Sequence, residues 1–278
     1  MTAFLKDAFK RHPTAIVGSV TLLALVAVAF LAPWLGTVDP EAVAPLDRLK
    51  PPSAEHWFGT DMLGRDVYSR VVYGTRVSLA IGVAVALVST TLGLAIGLVT
   101  GYVRVLDAVV MRVMDGLMSI PSVLLAIALI ALTKASIGNV VAAITLAEVP
   151  RVVRLVRSLV LSLREQPFVE AAVASGTPLP SILLRHVLPN TMAPLLVQGT
   201  YVCASAMITE AILSFIGAGT PPNIPSWGNI MAEGRSLFQV AYYIVLFPGA
   251  FLSITVLAIN LLGDGLRDAL DPRLARRM

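Results

Sequence analysis

The sequence predicts an all-α integral membrane protein of about six transmembrane helices, and three observations predict it. Only 14% of the 278 residues are charged while 56% are hydrophobic, and the mean hydropathy is +0.82. A soluble domain carries about 25% charged residues, so most of this chain belongs where charge is expensive. Apolar runs recur at the length of about 20 residues that a spanning helix needs. Between them no polar stretch is long enough to fold as a second domain. The formal charge of +4 does not argue for nucleic acid, because the basic residues are scattered between apolar runs and the lysines are only Lys6, Lys10, Lys50 and Lys134. The single cysteine, Cys203, excludes an intrachain disulfide and a cysteine-built zinc site. It lies in an apolar run and reads as a small buried hydrophobe.

The first span, 14–34, follows a basic tail (1–13) with Lys6, Lys10 and Arg11 and ends on Trp34, a residue suited to the membrane interface. It is longer than the 7–15-residue apolar core of a secretory signal peptide, so it reads as an uncleaved signal anchor. Segment 35–76 contains Pro, Asp and Glu and is too polar to insert. The remaining five spans are expected at 77–103, 115–133, 137–156, 194–216 and 243–262. They form a core, 77–262, that includes a long loop at 157–193 and a shorter one at 217–242. Asp115 and Glu148 interrupt the third and fourth spans. An even number of crossings puts 1–13 and 263–278 on one side. Counting Arg151 and Arg154 at the end of the fourth span, fourteen of the 21 Lys and Arg residues fall on that side, which also holds 157–193. The excess of Lys and Arg in cytoplasmic loops therefore places both termini and 157–193 in the cytoplasm, and 35–76 and 217–242 in the periplasm.

Gly93, Gly97 and Gly101 fall four apart on one face of the second span. In lipid, helices associate by close packing, so a glycine ridge marks a helix–helix contact. Packing within the chain is the preferred reading and a contact between subunits the alternative. Asp115, Glu148 and Glu210 lie at or within apolar spans, where a bare charge costs about 2.5 kcal/mol or more. Asp115 and Glu148 are expected near an interface, paired with Arg112 or Arg151. Glu210 is either a residue of a transport pathway or, preferably, the acceptor of a structural hydrogen bond from a neighbouring helix.

The 157–193 loop holds the densest signal. Pro167 suits a first helical position, Gly176 suits the left-handed residue just past a helix end, and small residues lie between them. Thr177 before Pro178 suggests a cap that starts a second short helix, closing before Pro189. Two short, well-terminated helices with small residues on one of them let another backbone approach closely, as a docking lever requires. An ordinary interfacial helix would want a larger apolar face.

Glu170-Ala171-Ala172, followed by Gly176 and Leu188-Pro189, resembles the EAA loop of ABC importer permeases, in which EAA is followed after three residues by Gly and after nine more by I-x-L-P. His186 stands at the Ile position. Arg185-His186-Val187-Leu188-Pro189-Asn190 is similar to the form found in the dipeptide/oligopeptide/nickel branch. Three further stretches resemble that branch: His56-Trp57-Phe58-Gly59-Thr60-Asp61 with Leu63-Gly64-Arg65-Asp66 and Ser69-Arg70; Pro225-Ser226-Trp227-Gly228-Asn229; and the run from Asn260-Leu261-Leu262-Gly263-Asp264 to Asp271-Pro272-Arg273. The resemblance implies a type I importer permease in the bacterial inner membrane. Its EAA helix would couple to the ATPase through Glu170, Ala171, Ala172 and Gly176, with Leu188 and Pro189 closing the motif. It also implies a homologous second permease, two ABC ATPase subunits and a periplasmic solute-binding protein as partners. Peptides are the first expectation for the solute, nickel or another small solute the alternative.

No G-x-x-x-x-G-K-[ST] loop occurs, so ATP-Mg is expected on the partner ATPases and no cofactor or metal on this chain. There is no G-x-S-x-G and no H-E-x-x-H; His12, His56 and His186 are far apart. Asp264 and Asp268 read as a solvated helix end. An enzyme is therefore not expected. A stand-alone secondary transporter would need paired hydropathy symmetry and ionisable residues near midplane, and it would leave the EAA loop unexplained.

Overall fold

The computed structural model describes residues 13–270; the outer parts of both expected tails, with Lys6, Lys10, Arg11, His12, Asp271, Pro272, Arg273, Arg276 and Arg277, lie outside the described residues. Within them the chain is helical, and the one β contact is an isolated bridge between Thr60 and Asp66. The helices are α1 (Pro13–Leu31), α2 (Val67–Tyr102), α3 (Arg104–Met118), α4 (Ser122–Ala131), α5 (Ile137–Leu163), α6 (Pro167–Ala174), α7 (Leu179–Ile182), α8 (Leu188–Phe215), α9 (Trp227–Gly234) and α10 (Tyr243–Leu270).

Among the described residues, four helical stretches are long and apolar enough to cross a bilayer: Pro13–Trp34, Val67–Tyr102, Leu179–Phe215 and Tyr243–Leu270. The expected third span is not one helix. It is the pair α3 and α4, bent by 89° at residues 119–121, and counting the pair as one crossing makes five. Pro121 causes the break: it has no N–H for the helical ladder, and its ring pushes the preceding residue out of helical conformation. The fourth expected span, α5, has 27 residues but is not among these stretches, and it carries Glu148, Arg151, Arg154 and Arg157. Each is ion-paired, Arg151 to Glu148, Arg154 to Asp115 and Arg157 to Asp107.

The second span starts at Val67, well before the expected residue 77, because Asp66 caps it: its carboxylate accepts the Ser69 N–H at 2.8 Å. Without a visible apolar signal over 67–76, the cap and the tertiary contacts decide. α5 and α10 also run past their expected ends, to Leu163 and Leu270. Helical hydrogen bonding does not stop where the apolar run stops.

Two large apolar cores, with a smaller cluster of Met114, Val149 and Val153, hold the described helices. In one, Ile81, Val85, Ile144, Val152, Val156, Val160, Val202 and Ala206 bring α2, α5 and α8 together, with Ala126 and Ile130 of α4. The other gathers Val67, Val71, Met207, Ile230, Ile244 and Ile259 around Trp227, which is fully buried and donates its indole N–H to the Val71 carbonyl at 3.1 Å. Gly93, Gly97 and Gly101 let α2 and α5 approach closely. A Cβ added at each would come to 2.5, 2.7 and 2.6 Å from the Cβ of Val152, Val156 and Val160 in turn. The glycine ridge is thus used inside the chain.

The polar stretch before α2 is fastened to the other end of the sequence. Phe58 stacks on Phe247 at 3.9 Å between ring centres, and the Tyr243 hydroxyl lies 2.9 Å from the Lys50 carbonyl and 3.1 Å from that of Thr60. Asp61 and Glu233 are clamped by two arginines. Arg65 reaches Asp61 Oδ2 and Glu233 Oε2, each at 2.6 Å, while Arg70 reaches Asp61 Oδ2 at 2.7 Å and Glu233 Oε1 at 3.0 Å. Arg70 and Asp61 are each 1% exposed. Removing one member of a buried pair leaves the other charge desolvated and costs about 3–5 kcal/mol. Arg70→Ala is therefore expected to lower the thermal midpoint of the detergent-purified chain strongly, and Arg65→Ala, with Arg70 still in place, much less. Equal midpoints for the wild type and Arg70→Ala would refute the clamp.

Candidate functional site

Between the long helices α5 and α8 lies the largely exposed hairpin of α6 and α7. α5 ends at Leu163, and Gln166, in extended conformation, precedes Pro167 at the first turn of α6. The missing Pro167 N–H costs nothing there, because the first N–H groups of a helix have no partner within it. α6 closes in a Schellman arrangement. The Thr177 N–H donates to the Ala172 carbonyl at 3.1 Å and the Gly176 N–H to that of Val173 at 3.0 Å, with Gly176 at φ +74°. Gly176 therefore has the role expected of it. Thr177 does not: Pro178 stands at the cap of α7, and no side chain caps that helix.

Pro189 ends no helix. α7 runs through a wide turn, Leu183–Val187, in which the Leu188 N–H donates to the Leu183 carbonyl five residues back, and continues as α8. Pro189 has no N–H to offer the carbonyl four residues before it, so the ladder widens at this point. Leu188 and Pro189 are thus the first residues of a long helix.

One face of α6 is anchored and the other is open. Val169 is fully buried, and with Ile182 and Val187 it belongs to the same core as α2, α5 and α8, with Ala172, Leu183 and Leu188 packed beside it. Glu170, Ala171, Val173, Ala174 and Gly176 are exposed, Val173 by 52%. Phe168, 44% exposed, lies with its ring centre 6.4 Å from that of His186. A short helix with small side chains outward and valine anchors inward can receive another protein surface and pass displacement to three long helices, because packed cores deform little.

The structure brings Glu170, Ala171, Ala172 and Gly176 into this hairpin, puts Leu188 and Pro189 at the start of α8 just after it, and sets Glu210 far along α8. Glu210 is 1% exposed; its Oε1 accepts from Ser214 Oγ at 2.7 Å, with Thr220 Oγ1 at 3.4 Å. Thr220 is in turn held by Asn229 Nδ2 at 2.9 Å. The expected donor from a neighbouring helix is replaced by donors from its own helix and from the loop that follows.

Glu148 pairs with Arg151 at 3.2 Å, but it is 2% exposed and sits well inside α5, not near an end. Asp115 pairs with Arg154 at 2.7 Å, not with Arg112 or Arg151. Asp107 takes a forked contact from Arg157, one arm at 2.7 Å. These last two pairs join residues 39 and 50 positions apart. Only the local spacing of Glu148 and Arg151 was open to sequence reasoning. The clamp of Asp61, Arg65, Arg70 and Glu233 was missed as well. Its faint signal was that two stretches singled out for resemblance, 56–70 and 225–229, border residues of opposite charge.

Residues 67–276 match the family model described as the binding-protein-dependent transport system inner membrane component. The chain belongs to this family. Residues 4–52 also match the N-terminal transmembrane domain of oligopeptide transport permease C. A probable peptide ABC transporter permease protein of Sinorhizobium fredii is 54% identical, over 96% of this chain and 92% of its own length. A dipeptide transport system permease protein of Alkalihalophilus pseudofirmus is 41% identical over 97% and 90%. A glutathione transport system permease protein of Pectobacterium atrosepticum is 41% identical over 96% and 89%. Among solved structures, the inward-facing MetNI methionine ABC transporter is similar with a TM-score of 0.59 at 21% identity, covering 75% of this chain and 95% of that one. That likeness carries the fold. The chain is accordingly a membrane permease component of an ABC importer, a transport subunit and not an enzyme.

Proposed function

We propose that this permease moves peptides across the bacterial inner membrane, paired with a homologous second permease. Two ABC ATPase subunits bind below the pair, and a periplasmic binding protein delivers the solute from above. The observation that carries the reading is the α6 hairpin, open on its small-residue face and anchored by Val169, Ile182 and Val187 in the core of the long helices. The names of relatives from several bacteria support peptides as the solute.

Both termini and α6 face the cytoplasm, in keeping with the distribution of Lys and Arg. ATP-Mg binds the partner ATPases, and this chain holds no nucleotide. Closure of the ATPases on ATP presses on α6. Because α6 shares a core with α2, α5 and α8, those helices move as a body between inward-open and outward-open states. ATP can bias that equilibrium only because the ATPase contacts α6 differently in the two states.

The test is co-purification and uptake. The tagged chain, expressed with its genomic neighbours, is expected to bring down a second permease and P-loop ATPases. In proteoliposomes the assembly is expected to take up dipeptide only with ATP and loaded binding protein. Changing Glu170 and Gly176 together should release the ATPases while the second permease stays. Uptake by the chain alone under an ion gradient, without ATP, would overturn the reading.

A further inference from the structure

Midway along α5 and α8, polar side chains meet on a face that the rest of the chain leaves open. Arg151 lies about 21 Å along a helix about 40 Å long, and Tyr201 about 20 Å along one of about 42 Å. The Glu148 carboxylate takes Arg151 Nη1 at 3.2 Å and Ser205 Oγ at 3.0 Å. The Arg151 guanidinium carbon stands 5.5 Å from the centre of the Tyr201 ring. Gln198 falls three residues before Tyr201 and seven before Ser205, on the same face of α8. Its side-chain amide nitrogen is buried and has no acceptor among the described residues.

The exposures separate the members of this group. Glu148 is 2% exposed, whereas the Arg151 side chain is 42% and Tyr201 51% exposed. The carboxylate is sealed behind its partners, and what the face presents outward is a guanidinium and a phenol. Arg154 and Arg157 farther along α5 are engaged by acids of α3; among the described residues, Arg151 meets only an acid of its own helix, through one nitrogen. A half-open guanidinium midway along a helix packed among the spanning ones is costly against hydrocarbon, so its face meets water or an anionic group.

We propose that this face lines the solute path and that Arg151, flanked by Tyr201, holds the carboxylate of a peptide in transit. The inference rests on the peptide-importer reading above. The guanidinium edge left free by Glu148 offers N–H donors in the fork that matches a carboxylate. Glu148 competes for the same cation and keeps the hold weak enough for release, as a transport path requires. Lysine would supply charge without the fork.

The experiment uses the complete importer in proteoliposomes: both permeases, the ATPases and the binding protein. The probe is the radiolabelled dipeptide that the wild-type importer takes up best from a dipeptide mixture. Arg151→Gln is expected to lower dipeptide taken up per ATP hydrolysed by about tenfold, the usual weight of one charge-assisted contact, and Arg151→Lys to recover part of it. An unchanged ratio in Arg151→Gln overturns the proposal and leaves the importer reading intact. Loss of the second permease from purified Arg151→Gln also overturns it, because Arg151 would then bind an acid of that subunit. A wild-type importer that takes up no dipeptide with ATP and binding protein defeats the peptide reading itself, and this inference with it.

Discussion

Gly176→Trp is expected to leave the chain folded in the membrane and to stop transport. Gly176 sits at φ +74°, and nothing lies within 4 Å of a Cβ placed there. Within the chain, the substitution therefore meets no clash and costs only the left-handed backbone, about 1–2 kcal/mol. The indole must project from the open end of α6, where the proposed ATPase contact lies. A contact of the weight of an interface hot spot, about 2–3 kcal/mol, corresponds to about a hundredfold loss of coupling. The measurement is ATP-dependent uptake set beside the amount of chain in the membrane fraction. Gly176→Asn, which tolerates the left-handed region better than other residues with a side chain, is the matched control and should retain most of the activity. A fully active Gly176→Trp importer would remove α6 as the coupling element.

Gly97→Leu is expected to act in the opposite way, on the fold before the function. Its Cβ would lie 2.7 Å from Val156 Cβ and 3.0 Å from the backbone oxygen of Val153, so a flexible side chain cannot absorb the clash by turning aside. α2 and α5 must separate, and they separate where Gly93 and Gly101 make the same close approach. Overpacking of a core typically costs about 1–3 kcal/mol, and a forced shift between two long helices lies at or above the top of that range. Little monodisperse chain should be recovered in mild detergent. Adding Val156→Ala should restore part of the yield, because it removes the group that leucine displaces. Gly116→Leu is the control, since a Cβ at Gly116 has nothing within 4 Å; it should be recovered like the wild type. Equal recovery of Gly97→Leu would mean that the ridge is not a packing surface.

The two glycines show how far the residues alone could be read. Gly176 was legible because its neighbours Pro167 and Pro178 bracket a short helix, and a left-handed end is local chemistry. The ridge at Gly93, Gly97 and Gly101 was legible as a contact, but its partner was not: Val152, Val156 and Val160 are ordinary valines until α5 is laid against α2. Arg154 with Asp115 and Arg157 with Asp107 were hidden for the same reason, since opposite charges far apart in sequence carry no mark of which will meet. The break between α3 and α4 had a visible cause in Pro121, yet the apolar run continues across it, and hydropathy averages over a bend.

The sequence by itself determined that this is an all-helical membrane protein and where the hairpin of α6 and α7 lies. Hydropathy, helix-ending glycine and proline, and the EAA spacing all act over a few neighbouring residues. Only the tertiary structure decided which face of α6 is open, which acids hold which arginines, that Glu210 is sealed among Ser214 and Thr220, and that Arg151 is left half-free beside Tyr201. Burial and pairing belong to the packing of helices distant in sequence, and no local pattern specifies how a helix is turned about its own axis.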